Sequence, residues 1–195
     1  MASLANVTLA EFRSALTPGA VRSGIIVQLT LAIGVLFFLV AVIFISQNVP
    51  GDQPVSPDLI EILNTIHALL FITAVYAGHW LFNRRFSSEN LERAYGKNFV
   101  DKRGRPLAST PSEKLVLLIR TAYIIRAALL EGAAFFGLMT LVVCAQSGLL
   151  NTQPFLWLNA GSALYEITFI LLTLPTAERQ ESLFEERISI SPRSS

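Results

Sequence analysis

The chain has 195 residues, of which 52% are hydrophobic and 15% are charged, and its formal net charge is +1. Soluble domains carry about 25% charged residues, so the composition argues against a soluble domain, and the near-zero net charge argues against a nucleic-acid partner. Its single cysteine, Cys144, excludes an intrachain disulfide and a thiolate metal site. The apolar residues occur in long runs, which is typical of membrane spans, and the length favours one bundle.

The first predicted element is a short helix over about 8–16, because Thr8 and Glu11 match a capping box. Its apolar residues share one face, which indicates a helix lying on the membrane surface. A frayed terminal tail is the alternative interpretation. Four apolar runs follow, and each is long enough to cross a bilayer. These runs predict spans at about 25–45, 59–82, 115–145 and 155–174. Gly104 and Pro106 indicate a turn in the polar segment before the third run. Thr110, Pro111 and Glu113 then form a second capping box, which predicts the start of the third helix.

The polar segments orient the predicted spans. Segment 86–114 is rich in Lys and Arg, whereas loops 46–57 and 146–154 contain none. Because Lys and Arg concentrate on the cytoplasmic side, segment 86–114 and both termini are predicted to be cytoplasmic, as is a C-terminal helix over about 176–187. The predicted fold is therefore an all-α polytopic membrane protein, a single four-helix domain over 1–195 arranged as two hairpins.

Two carboxylates lie inside predicted spans, Glu131 in the third and Glu166 in the fourth. A charge near the bilayer centre costs at least about 2.5 kcal/mol, so both are candidates for ion binding or proton carrying. Arg126 lies about 140° around the helix from Glu131, so these two are not expected to pair within the helix. The candidate tuning or pairing residues are Gln28, His67, Arg126, Asn159 and Ser162.

The fourth span carries a polar stripe that contains Asn159, Ser162, Glu166 and Thr173 at helical spacing. His67 lies at a similar depth in the second span, so a His67–Glu166 hydrogen bond fits the expected geometry. The alternative is that these polar groups only join helices, with His67 a packed and satisfied residue. His79 lies about 18 Å from His67 along one helix, which excludes a haem held by both and leaves a single axial ligand open.

No P-loop, dinucleotide turn, H-E-x-x-H or nucleophile elbow is present in the sequence. We therefore expect no catalytic residues, no metal and no cofactor. Pairs of small residues four positions apart in the third span let another helix approach closely, which favours a homo-oligomer or a subunit of a membrane complex. These helix-packing candidates are Ala128 with Gly132, and Ala133 with Gly137. When the sequence is aligned with itself at an offset of 98 residues, segment 28–38 matches segment 126–136, which suggests a duplicated hairpin.

Segment 127–138, AALLEGAAFFGL, resembles the carboxylate helix of the rotary ATPase proteolipids, the c-type ring subunits. In those proteins a mid-membrane Glu lies among small residues, and a four-span chain of two hairpins is similar to the duplicated V-type proteolipid. The resemblance implies that Glu131 is an ion-carrying carboxylate. The same segment also resembles uncharacterised bacterial four-span membrane proteins, and that likeness implies no function.

Three functional hypotheses follow. The first is a proton- or ion-linked membrane protein that uses Glu131 and Glu166. The second is a non-catalytic scaffold that assembles through its Ala/Gly helix faces. The third is an anchor that holds a cofactor or a soluble partner through segment 86–114 and the C-terminal helix. The first two rank almost level, and an enzyme ranks well below both. Under each hypothesis the chain is expected to lie in a lipid bilayer, and that bilayer is expected to be the bacterial inner (plasma) membrane.

Overall fold

The computed structural model describes residues 4–48, 51 and 54–189. Its regular structure is almost entirely helical, which confirms the predicted all-α class. The α-helices are α1 (Leu9–Ala15), α2 (Pro18–Asn48), α3 (Pro57–Arg85), α4 (Ser88–Gly96), α5 (Pro111–Gln146), α6 (Leu149–Thr152), α7 (Gly161–Thr173) and α8 (Ala177–Phe184). Two 3-10 segments, Leu4–Asn6 and Pro154–Ala160, and a π-helical turn, Glu185–Ser189, complete the helical elements of the described residues.

Within the described residues, four helical segments are long and apolar enough to span a membrane: Pro18–Asn48, Pro57–Arg85, Pro111–Gln146 and Pro154–Thr173. Each coincides with a predicted span. The last differs from the expectation of one regular helix, since its first turns are a 3-10 helix and only α7 is α-helical. There the Asn159 side chain donates to the Leu156 carbonyl at 2.9 Å. Such local side-chain bonds compete with the α-helical pattern.

Two capping boxes start helices where the sequence predicts them. At α1 the Glu11 amide donates to Thr8 Oγ1 at 3.3 Å, and the Thr8 amide donates to Glu11 Oε2 at 2.8 Å. The Thr8 amide holds the pKa of Glu11 below its usual value. At α5 Thr110 and Glu113 make the same two bonds, each at 3.2 Å. These reciprocal bonds satisfy amides that a helix start leaves unpaired.

The polar segment between α3 and α5 contains a two-stranded antiparallel sheet that the sequence did not predict. Strand β1 (Phe99–Val100) pairs with β2 (Pro106–Ala108). Between the strands, Asp101 accepts the backbone amides of Arg103 and Arg105 at 2.8 and 2.9 Å, and Gly104 has a φ of 75°. The predicted turn at Gly104 is therefore the tip of a small hairpin.

The chain divides into two compact units. Unit 1 comprises Met1–Val27, His79–Ile125 and Leu174–Ser195, and unit 2 comprises Gln28–Gly78 and Arg126–Thr173. Helices α2, α3 and α5 contribute residues to both units. Unit 2 contains one of the chain's 15 Lys and Arg residues, Arg126.

The core of unit 1 buries the apolar face of α1. Phe12 is fully buried, and its ring stacks on that of Phe184 with a centroid distance of 4.8 Å. Arg13 of the same helix pairs with Glu181 at 2.9 Å. The sequence predicts that this face lies on the membrane surface, with a frayed tail as the alternative. In the structure the segment is a helix, and protein residues cover Phe12 and Leu16 on its apolar face.

The core of unit 2 is built from helical stripes. On α2 the buried residues recur every three or four positions, as at Val35, Leu39 and Val42, and they pack with α5 residues such as Leu138 and Leu141. The opposite face of α2 is exposed and apolar. A helix that leaves so much apolar surface exposed is suited to lipid rather than water.

Candidate functional site

A buried hydrogen-bonded network in unit 2 joins α3 to the fourth spanning segment. His67 Nδ1 contacts Asn159 Oδ1 at 2.7 Å, and His67 Nε2 contacts Ser162 Oγ at 2.8 Å. Asn159 Nδ2 in turn donates to Asn64 Oδ1 at 2.8 Å. The structure thus brings together three predicted residues, His67, Asn159 and Ser162. It does not pair His67 with Glu166, because both ring nitrogens are occupied.

The network accommodates both charge states of His67. In the neutral ring, Nδ1–H donates to Asn159 Oδ1 and Nε2 accepts the Ser162 hydroxyl proton. In the imidazolium, Nε2–H donates to Ser162 Oγ instead. The Ser162 hydroxyl can then donate to the Asn159 carbonyl, which lies 3.3 Å away. A proton can therefore enter or leave this ring without leaving a buried N–H unpaired.

Gly137 on α5 permits the close approach on which the network depends. A Cβ atom added there would lie 2.5 Å from both the Asn159 carbonyl oxygen and His67 Nε2, and 2.8 Å from His67 Cε1. Ala133, one turn earlier, is buried as well. Ala133 and Gly137 therefore pack against other helices of the same chain.

The second predicted small pair has different surroundings. Ala128 and Gly132 are exposed, and a Cβ added at Gly132 would meet no atom within 4 Å. Half-buried Glu131 lies between them on α5. This face of α5 is therefore not used for packing within the described part of the chain.

Asn64 is the member of the network that the sequence analysis did not select. It lines a pocket of about 290 Å³ together with Glu61, Thr65 and Gln153. A pocket of this size has room for several water molecules. Asn64 lies three residues before His67, so both side chains share a face of α3. That spacing is the sequence signal that could have identified Asn64.

Glu166 is the most deeply buried predicted carboxyl group. It is 0% exposed, and neither Oε1 nor Oε2 has a hydrogen-bond partner among the residues that the structure describes. Ser162 lies one turn before it on α7, so the two side chains are neighbours on one helix face. Glu131, the other candidate carboxyl group, is half-buried on α5 in the same unit.

The two remaining predicted polar residues lie elsewhere in unit 2. The Arg126 guanidinium lies over the Phe169 ring, 4.4 Å from its centroid, a cation–π contact. Gln28 is buried on α2, and its Oε1 has no hydrogen-bond partner in the described chain. Thr173, in the predicted polar stripe, donates to the Phe169 carbonyl of its own helix at 2.7 Å. The predicted stripe therefore contributes only Asn159 and Ser162 to the bonds between helices.

Comparisons of the chain with protein-family models, with curated proteins and with solved structures found no match. Within residues 4–48, 51 and 54–189, no group of three or more His, Cys, Asp or Glu side chains is arranged to hold a metal ion. The features of the described chain that indicate a function are the polar network, the buried carboxyl group of Glu166 and the pocket at Asn64.

Proposed function

We propose that this chain is an integral membrane protein that carries protons through Glu131 and Glu166. The observation that carries the proposal is the complete burial of Glu166 with both of its oxygen atoms unpaired in the described chain. An ionised carboxylate in such surroundings costs several kcal/mol. Glu166 is therefore neutral at rest and holds a proton that it can transfer.

The hydrogen-bonded network places a titratable group near that proton. Asn159 holds the His67 ring at 2.7 Å and is itself held by Asn64 at 2.8 Å beside the pocket, and His67 Nε2 contacts the Ser162 hydroxyl at 2.8 Å. Ser162 is one helical turn from Glu166. The groups that exchange protons in this proposal are the His67 ring, the Ser162 hydroxyl and the Glu166 carboxyl group, and the two asparagine amides only orient the ring. Glu131 then acts as the second carboxyl group, in agreement with the resemblance of segment 127–138 to the proteolipid carboxylate helix.

The proposed topology has four spans as two hairpins in the bacterial inner membrane. Because unit 2 holds only Arg126 of the 15 Lys and Arg residues, the positive-inside rule favours a cytoplasmic location for both termini and for segment 86–114. The pocket at Asn64 adjoins the loops without Lys or Arg, so it opens on the opposite side of the membrane.

A non-catalytic scaffold is the second candidate function. The observation that favours it is the exposed face at Ala128 and Gly132, where the described chain leaves room for another helix. Close contacts at small residues drive helix association in lipid. In this alternative Glu131 is buried by a second copy or by another subunit rather than used for transport.

Proton flux into vesicles separates the two candidates. The purified chain is reconstituted with a pH-sensitive dye inside the vesicles, and a potential is applied across the membrane. We expect flux for the wild-type chain and its loss in Glu166→Gln, which keeps the size of the neutral acid but cannot exchange a proton. Glu178→Gln is the matched control, because Glu178 is exposed on α8.

Two results would contradict the proton-carrying function. One is a wild-type chain that shows no flux above empty vesicles. The other is a Glu166→Gln variant that conducts like the Glu178→Gln control. If a Gly132→Leu variant then dissociates an oligomer that the wild type forms, the scaffold function accounts for the chain.

A further inference from the structure

A basic pocket in unit 1 lies at the end of α3. It has a volume of about 390 Å³, and its lining includes four basic residues and no acidic one. Apolar side chains, including Leu81 and Leu118, form the rest of the wall together with Asn90. The basic residues of this pocket are Arg84, Arg85, Arg93 and Lys97.

The positive charge of this pocket is largely uncompensated. Arg93 pairs with Glu89 at 2.5 Å. The other three basic residues form no ion pair with a residue that the structure describes. A pocket with three unpaired cations is a strong attractor for an anion, because guanidinium and ammonium groups both bind phosphate oxygens well.

Local contacts hold the pocket in shape. Asn90 Nδ2 donates to the Arg84 carbonyl at 2.6 Å and to Ser87 Oγ at 3.1 Å, which ties the start of α4 to the end of α3. The Arg84 guanidinium stacks over Trp80 at 4.8 Å from the ring centroid. The pocket is therefore formed without any ligand.

The position of the pocket identifies the source of the anion. Trp80 is 55% exposed one turn before Arg84, near the end of a spanning helix. Exposed tryptophans at such ends lie at the headgroup level of a bilayer. Arg84 follows about 6 Å further along the helix, which is where lipid phosphates lie.

We infer that this basic pocket binds the headgroup of an anionic phospholipid from the cytoplasmic leaflet. The arginine and lysine side chains hold the phosphate, and Leu81 with Leu118 lies beside the start of the acyl chains. Basic pockets between spanning helices on the cytoplasmic side commonly hold such headgroups. The inference uses neither Glu131 nor Glu166, so it stands or falls independently of proton transport.

Native mass spectrometry of the full chain in detergent tests the lipid site. Dioleoylphosphatidylglycerol is titrated against dioleoylphosphatidylcholine and against inorganic phosphate. We expect phosphatidylglycerol adducts at low lipid concentration and none of comparable strength with the other two. In the double variant Arg85→Gln with Lys97→Gln, the affinity for phosphatidylglycerol should fall roughly 30-fold. Each basic residue contributes about 1 kcal/mol to the binding of an anionic lipid, and a loss of about 2 kcal/mol corresponds to that change because a tenfold change in affinity equals about 1.4 kcal/mol.

The control variant is Lys102→Gln with Arg103→Gln, which removes the same charge from exposed positions outside the pocket. It should bind phosphatidylglycerol like the wild type. Arg85→Lys with Lys97→Arg preserves the charge and should also bind, which separates loss of the ligand site from loss of the fold. Equal weakening in both charge-removing variants, or no preference for phosphatidylglycerol over phosphatidylcholine, would overturn the inference. Equal binding of inorganic phosphate would identify a free-anion site and would overturn it too.

Discussion

The substitution Gly137→Ala should disrupt the polar network between α3 and the fourth spanning segment. The added Cβ would lie 2.5 Å from the Asn159 carbonyl oxygen and from His67 Nε2, about 0.9 Å short of ordinary contact at 3.4 Å. The carbonyl belongs to the backbone and cannot move aside by a rotamer change. Either the helices separate or His67 leaves its partners.

The magnitude follows from three contributions. Overpacking of a closed core costs about 1–3 kcal/mol, and each buried polar group that loses its partner costs about 1–3 kcal/mol more. Alanine in place of glycine within a helix increases the free energy of unfolding by about 0.5–1 kcal/mol, which offsets part of this loss. With one hydrogen bond of His67 lost, the net decrease in the free energy of unfolding is about 1–5 kcal/mol, with a central value of about 3 kcal/mol.

Gly34→Ala is the matched control for this substitution. Gly34 also lies within a spanning helix, α2, but a Cβ there would meet no atom within 4 Å. Equilibrium unfolding in mixed detergent micelles, followed by circular dichroism, should place Gly34→Ala at or slightly above the wild type and Gly137→Ala well below it. Adding His67→Ala to Gly137→Ala should recover part of the loss, because one of the two clashing groups is removed. Equal stabilities of the two alanine variants would refute the packing argument.

Two further predictions concern unit 1. Phe12→Ala should cost about 3–4 kcal/mol and release α1 from its core, because the buried stack on Phe184 is lost. Arg13→Ala should cost at most about 1 kcal/mol, because its pair with Glu181 is partly exposed to solvent. Limited proteolysis of the N-terminal segment checks both, and equal cleavage rates of the two variants would contradict them. Asp101→Asn should open the β1–β2 hairpin, because the Arg105 amide and side chain hold the pKa of Asp101 below its usual 3.8. The stabilisation by the ionised Asp101 carboxylate is present above pH 3.8 and is lost as the pH falls below that value. Hydrogen exchange of the Arg105 amide at neutral pH should therefore be faster in Asp101→Asn than in the wild type. Unchanged exchange would count against the hairpin contacts.

The helices and their start signals were predictable because they depend on local chemistry. The apolar runs, Pro111 after a capping threonine and the Thr8–Glu11 box act within a few residues, and the structure has helices there. The partners of buried polar groups depend on contacts between distant segments. His67 and Asn159 are 92 residues apart, so helical periodicity could place them on faces but could not pair them. The periodicity of α1 likewise showed an apolar face, but could not show that Phe184 covers it.

In the proposed membrane topology, the separation of His67 from its partners along the sequence has a consequence for the order in which the spans insert. Asn159 and Ser162, which form hydrogen bonds with His67, belong to the last spanning segment. They are therefore synthesised only after α5. Until that segment enters the bilayer, the second span must expose an imidazole and an amide to lipid, or retain water around them. A chain truncated before residue 159 would keep these groups unsatisfied permanently. In this topology the last span therefore completes the burial of the polar groups of the second span.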